Sequence, residues 1–287
     1  MSFTRRGAAA SLHADERLSH CGPLPASPCA LRSSRPGLFP MIQVEALTKL
    51  YGELVAVNEV GFEVQPGEVM GLVGPNGAGK TTTLRCLAGI IPPTRGSIRI
   101  CGNDLARDPI AAKQQLAFFP DEPRLFDYLT VDQHLTFTAR IYQVKDYQLV
   151  ADQLLAELEL AGKRTALPSE LSRGMKQKLA IACGLLHAPK VIYFDEPLTG
   201  LDPLGIRRMK DSILKRARDG AAIIISSHLL HLVEEICSHI LILKDGRKIA
   251  HGSLADITRQ FATQADEANL EEVFFRATTD VGKGNIG

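Results

Sequence analysis

A dominant charge of one sign is missing from this sequence. Its 33 basic and 32 acidic side chains leave a formal net charge of +1. That argues against a nucleic-acid binder working through bulk electrostatics, although a local basic patch stays open. Long apolar runs are missing too. A bilayer-spanning helix needs about 20 apolar residues, whereas the greasiest stretches here, Val191-Ile-Tyr-Phe194 and Ala221-Ala-Ile-Ile-Ile225, span four and five. Such lengths suit buried parallel strands, and the chain is not expected to cross a membrane itself. The six cysteines, Cys21, Cys29, Cys86, Cys101, Cys183 and Cys237, form no CxxC pair, and no His/Cys cluster has zinc spacing. Reduced thiols in a cytosolic protein are the expectation. No internal repeat is visible, so one chain carries one unit of its kind.

Residues 1–40 stand apart from the rest. They hold five of the sixteen prolines, five arginines, two acids and no long apolar pattern, a composition that cannot bury a core. The only apolar stretch near the arginines is Ala8-Ala-Ala10, which is too short for a secretory signal. Two readings remain: an organellar transit peptide on the Arg/Ser/Ala bias, and a disordered leader ahead of a natural start at Met41. From there on, a single domain over 41–287 is expected. Ile42, Val44 and Ala46 alternate as in a strand, and 42–66 reads as antiparallel sheet with turns at Tyr51-Gly52-Glu53 and Gln65-Pro66-Gly67. Val69-Met-Gly-Leu-Val73 reads as a buried strand running through a Gly-rich turn into a helix near Lys80. Residues 116–188 read as mostly helical, with Val150, Leu154, Leu155 and Leu158 at helical spacing. Strand character returns at Val191–Phe194, Ala222–Ser226 and Ile240–Leu243, and a helical tail is expected over about 255–287. Alternating strands and helices imply an α/β fold with a parallel sheet, here interrupted by a helical insertion.

The turn after the first buried strand is Gly74-Pro-Asn-Gly-Ala-Gly-Lys80-Thr81, a match to the P-loop pattern GxxxxGK[ST]. Backbone N–H groups must wrap the phosphates of a nucleotide, and glycine lets the loop turn tightly enough to do so. The next helix points its positive end at the same anion. Lys80 supplies a charge for the outer phosphates, and Thr81 offers a hydroxyl to Mg²⁺. A plain Gly-rich turn is the bland reading; the strand before and the helix after weigh against it. A second buried strand, Val191-Ile-Tyr-Phe194, ends in Asp195 and Glu196. A carboxylate at that end suits Mg²⁺ coordination by Asp195, and Glu196 is placed to orient or deprotonate a water. Strands often end in solvated acids, and it is the preceding P-loop that gives this pair meaning.

Between these motifs stands Leu171-Ser-Arg-Gly-Met-Lys-Gln-Lys178, followed by an apolar helix. It resembles the signature sequence of ABC ATPases, usually written LSGGQ. Pro197-Leu-Thr-Gly-Leu-Asp202 resembles the D-loop of that family, and Ile225-Ser-Ser-His228 its switch histidine. Tyr51, 23 residues before Gly74, resembles its adenine-stacking aromatic. The likeness covers about residues 42–275, and the order of the elements is more specific than any one of them. The family implies a P-loop NTPase core of the RecA-like kind, an antiparallel β subdomain and an inserted helical subdomain. It also implies ATP and Mg²⁺ as cofactors. The ATP-binding set would be Tyr51 with Gly74, Pro75, Asn76, Gly77, Ala78, Gly79, Lys80, Thr81 and Thr82. Glu196, His228 and Lys80 would be catalytic, His228 sensing the γ-phosphate, and Asp202 would lie in the D-loop. Ser172, Arg173, Gly174 and Met175 would grip the ATP held by a second subunit, either a copy of this chain or a homologue. His231 and His239 have no motif support and are read as structural.

Two departures from the family stand out. Its usual glutamine, a Mg²⁺ and coupling contact, is replaced in Phe118-Phe-Pro-Asp121-Glu-Pro123 by Asp121, whose carboxylate can still bind Mg²⁺. The metal set would then be Thr81, Asp195 and Asp121. The signature carries Arg173 and ends in Met175. That style resembles the ATP-binding subunits of the type-2 export class, which pair with separate polytopic permeases. The expectation is therefore a peripheral ATPase at the cytoplasmic face of a membrane, driving export through a permease and touching no nucleic acid. Soluble ABC proteins of translation or DNA repair are the alternative, but they carry two ATPase units or a long coiled coil, and neither is visible. A regulatory module without turnover would lack Glu196 or His228. Phe126 and Tyr128, in Leu125-Phe-Asp-Tyr-Leu-Thr130, either face the permease or pack inside the helical subdomain.

Overall fold

The computed structural model describes residues 39–198, 202–261 and 270–279. Ten strands and nine α-helices follow one another in these residues. They are β1 Ile42–Tyr51, β2 Leu54–Val64, β3 Val69–Val73, α1 Lys80–Leu87, β4 Arg95–Ile100, β5 Asn103–Asp104, α2 Pro109–Gln114, β6 Leu116–Phe119, α3 Val131–Ile141 and α4 Tyr147–Glu157. Then come α5 Arg173–Leu185, β7 Val191–Asp195, α6 Pro203–Arg218, β8 Ala222–Ser226, α7 Leu230–Ile236, β9 His239–Lys244, β10 Arg247–Ser253, α8 Leu254–Phe261 and α9 Leu270–Thr279. The leader expected over 1–40 falls outside the described residues up to position 38, as do the end of the expected tail and half of the D-loop.

The larger sheet has the order β10-β9-β3-β8-β7-β6. Its strands β9, β3, β8, β7 and β6 run parallel, and β10 closes one edge antiparallel to β9. Its strands read as continuous apolar runs because both faces are covered. Val73, Ile192, Phe194, Ile223 and Ile225 belong to the core on one face. Their neighbours Leu72, Val191, Tyr193, Ala222 and Ile224 belong to the core on the other. The first face lies against α3, α4, α5, α6 and α7. The second lies against α1 and the smaller, antiparallel sheet, ordered β2-β1-β4-β5. The expected α/β class with an antiparallel subdomain and a helical insertion is what forms.

Three details differ from the sequence reading. Ala46 does not continue the inward alternation of β1; it sits exposed at φ 47° in a bulge, and Leu47 takes the buried place. The antiparallel sheet is not confined to 42–66, because β4 and β5 join it from beyond the P-loop helix. The stretch expected to be helical over 116–188 opens on β6, the edge strand of the larger sheet. Thr130 and Gln133 then form a reciprocal capping box that starts α3. His134, buried on α3, accepts the Phe126 N–H at 3.0 Å and faces the Thr130 carbonyl at 2.8 Å, which pins the loop ahead of the helix. Phe126 is half-exposed and rests edge-on against Phe137, while Tyr128 stands in solvent.

The helical insertion meets the sheet where Phe119 of β6 stacks on Phe194 of β7, ring centroids 4.9 Å apart. Gly184 of α5 lies against that ring so closely that a Cβ would meet it at 2.6 Å or less. Phe194 behind the ring removes its room to retreat. Gly184→Val is therefore expected to destabilise the fold by ~1–3 kcal/mol through overpacking, read as a lower Tm in thermal melting. An unchanged Tm would show that the Phe119 ring can yield. Four thiols, those of Cys86, Cys101, Cys183 and Cys237, are free. Burial pushes those of Cys86 and Cys183 up to about 11, so they stay protonated and unreactive.

Candidate nucleotide site

The carboxyl ends of β3, β8 and β7 lie side by side, and the loops leaving them carry the polar residues singled out in the sequence. That edge is where open parallel sheets bind ligands. After β3 the loop turns back on itself with the Ala78 N–H on the Pro75 carbonyl at 3.1 Å. Two glycines are dictated by space. A Cβ at Gly74 would run into the Leu243 carbonyl. Gly79, at φ 97°, would bring one within 2.5 Å of the Ala56 carbonyl. Gly79 is also the N-cap of α1, and no side chain covers that helix end. The free N–H groups and the helix dipole thus face outward together as an anion cradle.

Lys80 folds its amine over this loop, 2.6 Å from the Gly74 carbonyl and 3.2 Å from that of Pro75. Its pKa is lowered, first by burial; the Glu196 and Asp195 carboxylates act in the opposite direction. Thr81 begins the next step of the site, with its hydroxyl 3.4 Å from Asp195 Oδ1. Asp195 is buried at the end of β7 and accepts a second hydroxyl, that of Ser226 at 2.5 Å. A buried carboxylate needs such partners. Ser226 had no role in the sequence reading; the signal that could have found it is a serine closing an otherwise apolar buried strand.

Glu196 leaves the strand in the left-handed region, φ 52°, which is uncommon for a residue with a Cβ. Its N–H is tied to the Ser226 carbonyl at 3.1 Å. This turn carries its carboxylate to His228, whose Nδ1–H donates to Oε2 at 2.8 Å. So the structure brings Lys80, Thr81, Asp195, Glu196 and His228 to one edge. Tyr51 ends β1 on the smaller sheet, half-exposed, with the Lys49 amine 5.2 Å from its ring centroid. Pro75, Asn76 and Gly77 form the exposed rim of the cradle, and Thr82 continues α1.

The signature residues make their contacts elsewhere. Ser172 caps α5 by accepting the Met175 N–H at 3.3 Å, and both Ser172 and Arg173 are exposed. Arg173 reaches Asp121, 3.3 Å away. Gly174 and Met175 form the first turn of α5. Asp202 caps α6 through the Gly205 N–H at 2.7 Å, while positions 199–201 of the same loop lie outside the described residues. Gln177, buried on α5, donates to the Pro197 carbonyl at 2.9 Å and so ties the signature helix to the segment after Glu196. Sequence reasoning missed it because a glutamine in a polar helical run looks solvated.

A family model described as "ABC transporter" matches residues 57–199. The ABC-type transporter ATP-binding protein EcsA of Bacillus subtilis is 33% identical over 84% of this chain and 97% of its own length. The chain belongs to the ABC transporter ATP-binding family. Nod factor export ATP-binding protein I of Paraburkholderia xenovorans is 37% identical, over 74% of this chain and 70% of that one. A solved structure of the ATP-binding subunit of an ABC transporter superposes with a TM-score of 0.79 at 36% identity, covering 83% of this chain and 99% of that chain. Membership in the ABC family carries ATP binding and ATP hydrolysis, and the fold is that of its P-loop ATPases.

Proposed function

We propose that this ABC subunit hydrolyses ATP as one half of a head-to-tail pair and uses the cycle to drive export through a separate polytopic permease. The observation that carries the reading is the pairing of Glu196 with His228 beside Asp195 at the mouth of the P-loop. A carboxylate held by a histidine can take a proton from water and orient it toward a terminal phosphate. His228 then reports on that phosphate from its other ring nitrogen. Lys80 and the N–H groups of the cradle hold and neutralise the triphosphate. Tyr51, at the open end of β1, supplies a flat face for adenine.

The donor set also fits Mg²⁺. Among the described residues no cluster of three or more His, Cys, Asp or Glu could hold a metal. A cation that keeps its waters and takes one or two protein oxygens plus phosphate oxygens suits the close Thr81 and Asp195 pair. Thr81, Asp195 and, from the loop after β6, Asp121 would hold it; bound, it would neutralise charge on the phosphates.

Export is favoured by the signature style of Arg173 and Met175 and by the relative named for Nod factor export. No helix among the described residues is long and apolar enough to cross a membrane. In this reading the chain sits peripherally at the cytoplasmic face, and the exposed Tyr128 and half-exposed Phe126 meet the permease. Co-purification from membranes after mild crosslinking at Tyr128→Cys is expected to capture a polytopic membrane protein, and ATPase activity is expected to change when that protein is reconstituted with the subunit. Recovery of ribosomes or DNA repair factors in its place would overturn the transport assignment.

A further inference from the structure

We propose that Asp121 and Arg173, two of the positions where the chain departs from the usual ABC pattern, work as one ion pair that joins its own metal site to its partner's ATP. The inference rests on the ATPase reading above and deepens it. The residues are 52 apart in sequence, yet Arg173 Nη2 lies 3.3 Å from Asp121 Oδ1. Neither has another ion-pair partner among the described residues. Both side chains are about half-exposed, at 59% and 46%. A wet pair of this kind adds little to fold stability, so its effect falls on the charge of the two ATP sites.

The charges explain why the departures come together. On the metal set proposed above, a carboxylate in the loop after β6 would add an acid to a site that already holds Asp195 and Glu196. Those two acids face one amine, that of Lys80. A guanidinium at the signature adds a fixed cation where a γ-phosphate is to be gripped. The usual glutamine and glycine are neutral; aspartate and arginine together are neutral as well. Each substitution alone would leave a net charge in a phosphate or metal site, and the pair removes it. The pair also provides a link. A γ-phosphate bound at α5 competes with Asp121 for the guanidinium, and a carboxylate released from arginine is a stronger ligand for a hard cation. Filling the partner's site thus strengthens the metal hold in this chain's own site.

The test is a double-mutant cycle on the full chain, with kcat and KM for MgATP, and the Mg²⁺ dependence of ATP binding by calorimetry, measured for the parent, Asp121→Gln, Arg173→Gly and the double variant. Each single change is expected to lower kcat/KM about tenfold, and the double variant to return to within about threefold of the parent. Arg173→Gly should in addition lower the Mg²⁺ concentration needed, because the freed Asp121 carboxylate is the stronger ligand for a hard cation. Single losses that multiply to about a hundredfold in the double variant would mean independent residues and overturn the pair. Single variants indistinguishable from the parent, or an Arg173→Gly with an unchanged Mg²⁺ requirement, would overturn it equally. The ATPase reading is checked separately by hydrolysis in the parent and its loss in Glu196→Gln. Normal hydrolysis with multiplicative losses sinks the pair alone, whereas a parent that binds no nucleotide sinks both.

Discussion

Replacing Lys80 by alanine is expected to lower ATP turnover by about a hundredfold or more, the scale on which loss of one charge-stabilising donor slows a reaction, and to weaken ATP binding. The amine is the cation that both Asp195 and Glu196 act upon, and it lies over the loop that would hold the phosphates. Without it the cradle keeps its N–H groups but presents a polyanion to two carboxylates. Mg²⁺ would offset part of that repulsion, which is why the loss should be greater in turnover than in binding. The fold should barely notice. The side chain of Lys80 donates to two loop carbonyls; water can replace it at exposed Pro75, and the loss of the partly buried bond to Gly74 costs about 1 kcal/mol. The variant should therefore melt close to the parent while its steady-state phosphate release disappears. Turnover near the parent rate would refute the role given to Lys80.

Much of this site was legible because its parts sit at the ends of strands whose composition is unambiguous. Val69–Val73, Val191–Asp195 and Ala222–Ser226 are buried along their whole length, so each reads as an apolar run, and the first polar residue after the run marks the ligand edge. What stayed hidden depends on partners remote in the chain. Ala46 is apolar and in phase, and nothing local announces a bulge. The reason lies across the sheet at Gly96, whose φ is 93° and whose missing Cβ leaves room for the carbonyls of Glu45 and Ala46. The pairing of β1 with β4 brings together segments separated by the entire P-loop helix. Ser226 and Gln177 are polar residues whose side chains are made structural by a single acceptor each, 31 and 20 residues away. Asp121 and Arg173 show the same limit at the site itself. Each reads as a separate oddity until the fold of the helical insertion sets one against the other.

Glu196→Gln is expected to accumulate as an ATP-bound dimer. The substitution keeps the length and planarity of the side chain, and its amide oxygen can still accept from the Nδ1–H of His228, which now lies 2.8 Å from the carboxylate. The shape of the site survives, whereas the base is gone, and hydrolysis should fall by about 10²–10⁴-fold. The polar contacts of Ser172 and Arg173 run to α5 and to Asp121 rather than to the P-loop. On the two-subunit reading, the exposed start of α5 would take an anion from elsewhere, and a two-fold axis would supply it from the P-loop of a second subunit. ATP then fills the interface with charge and acceptors, and an uncleaved γ-phosphate keeps it closed. Light scattering with ATP and Mg²⁺ should show twice the monomer mass for Glu196→Gln. Adding Ser172→Arg should return it to monomer, since the longer side chain fills the phosphate position and removes the cap on Met175. If Glu196→Gln stays monomeric alone yet dimerises beside its permease, the membrane partner supplies the missing interface. If a monomer hydrolyses ATP with a rate first order in protein, the site is complete within one chain and the two-subunit mechanism falls.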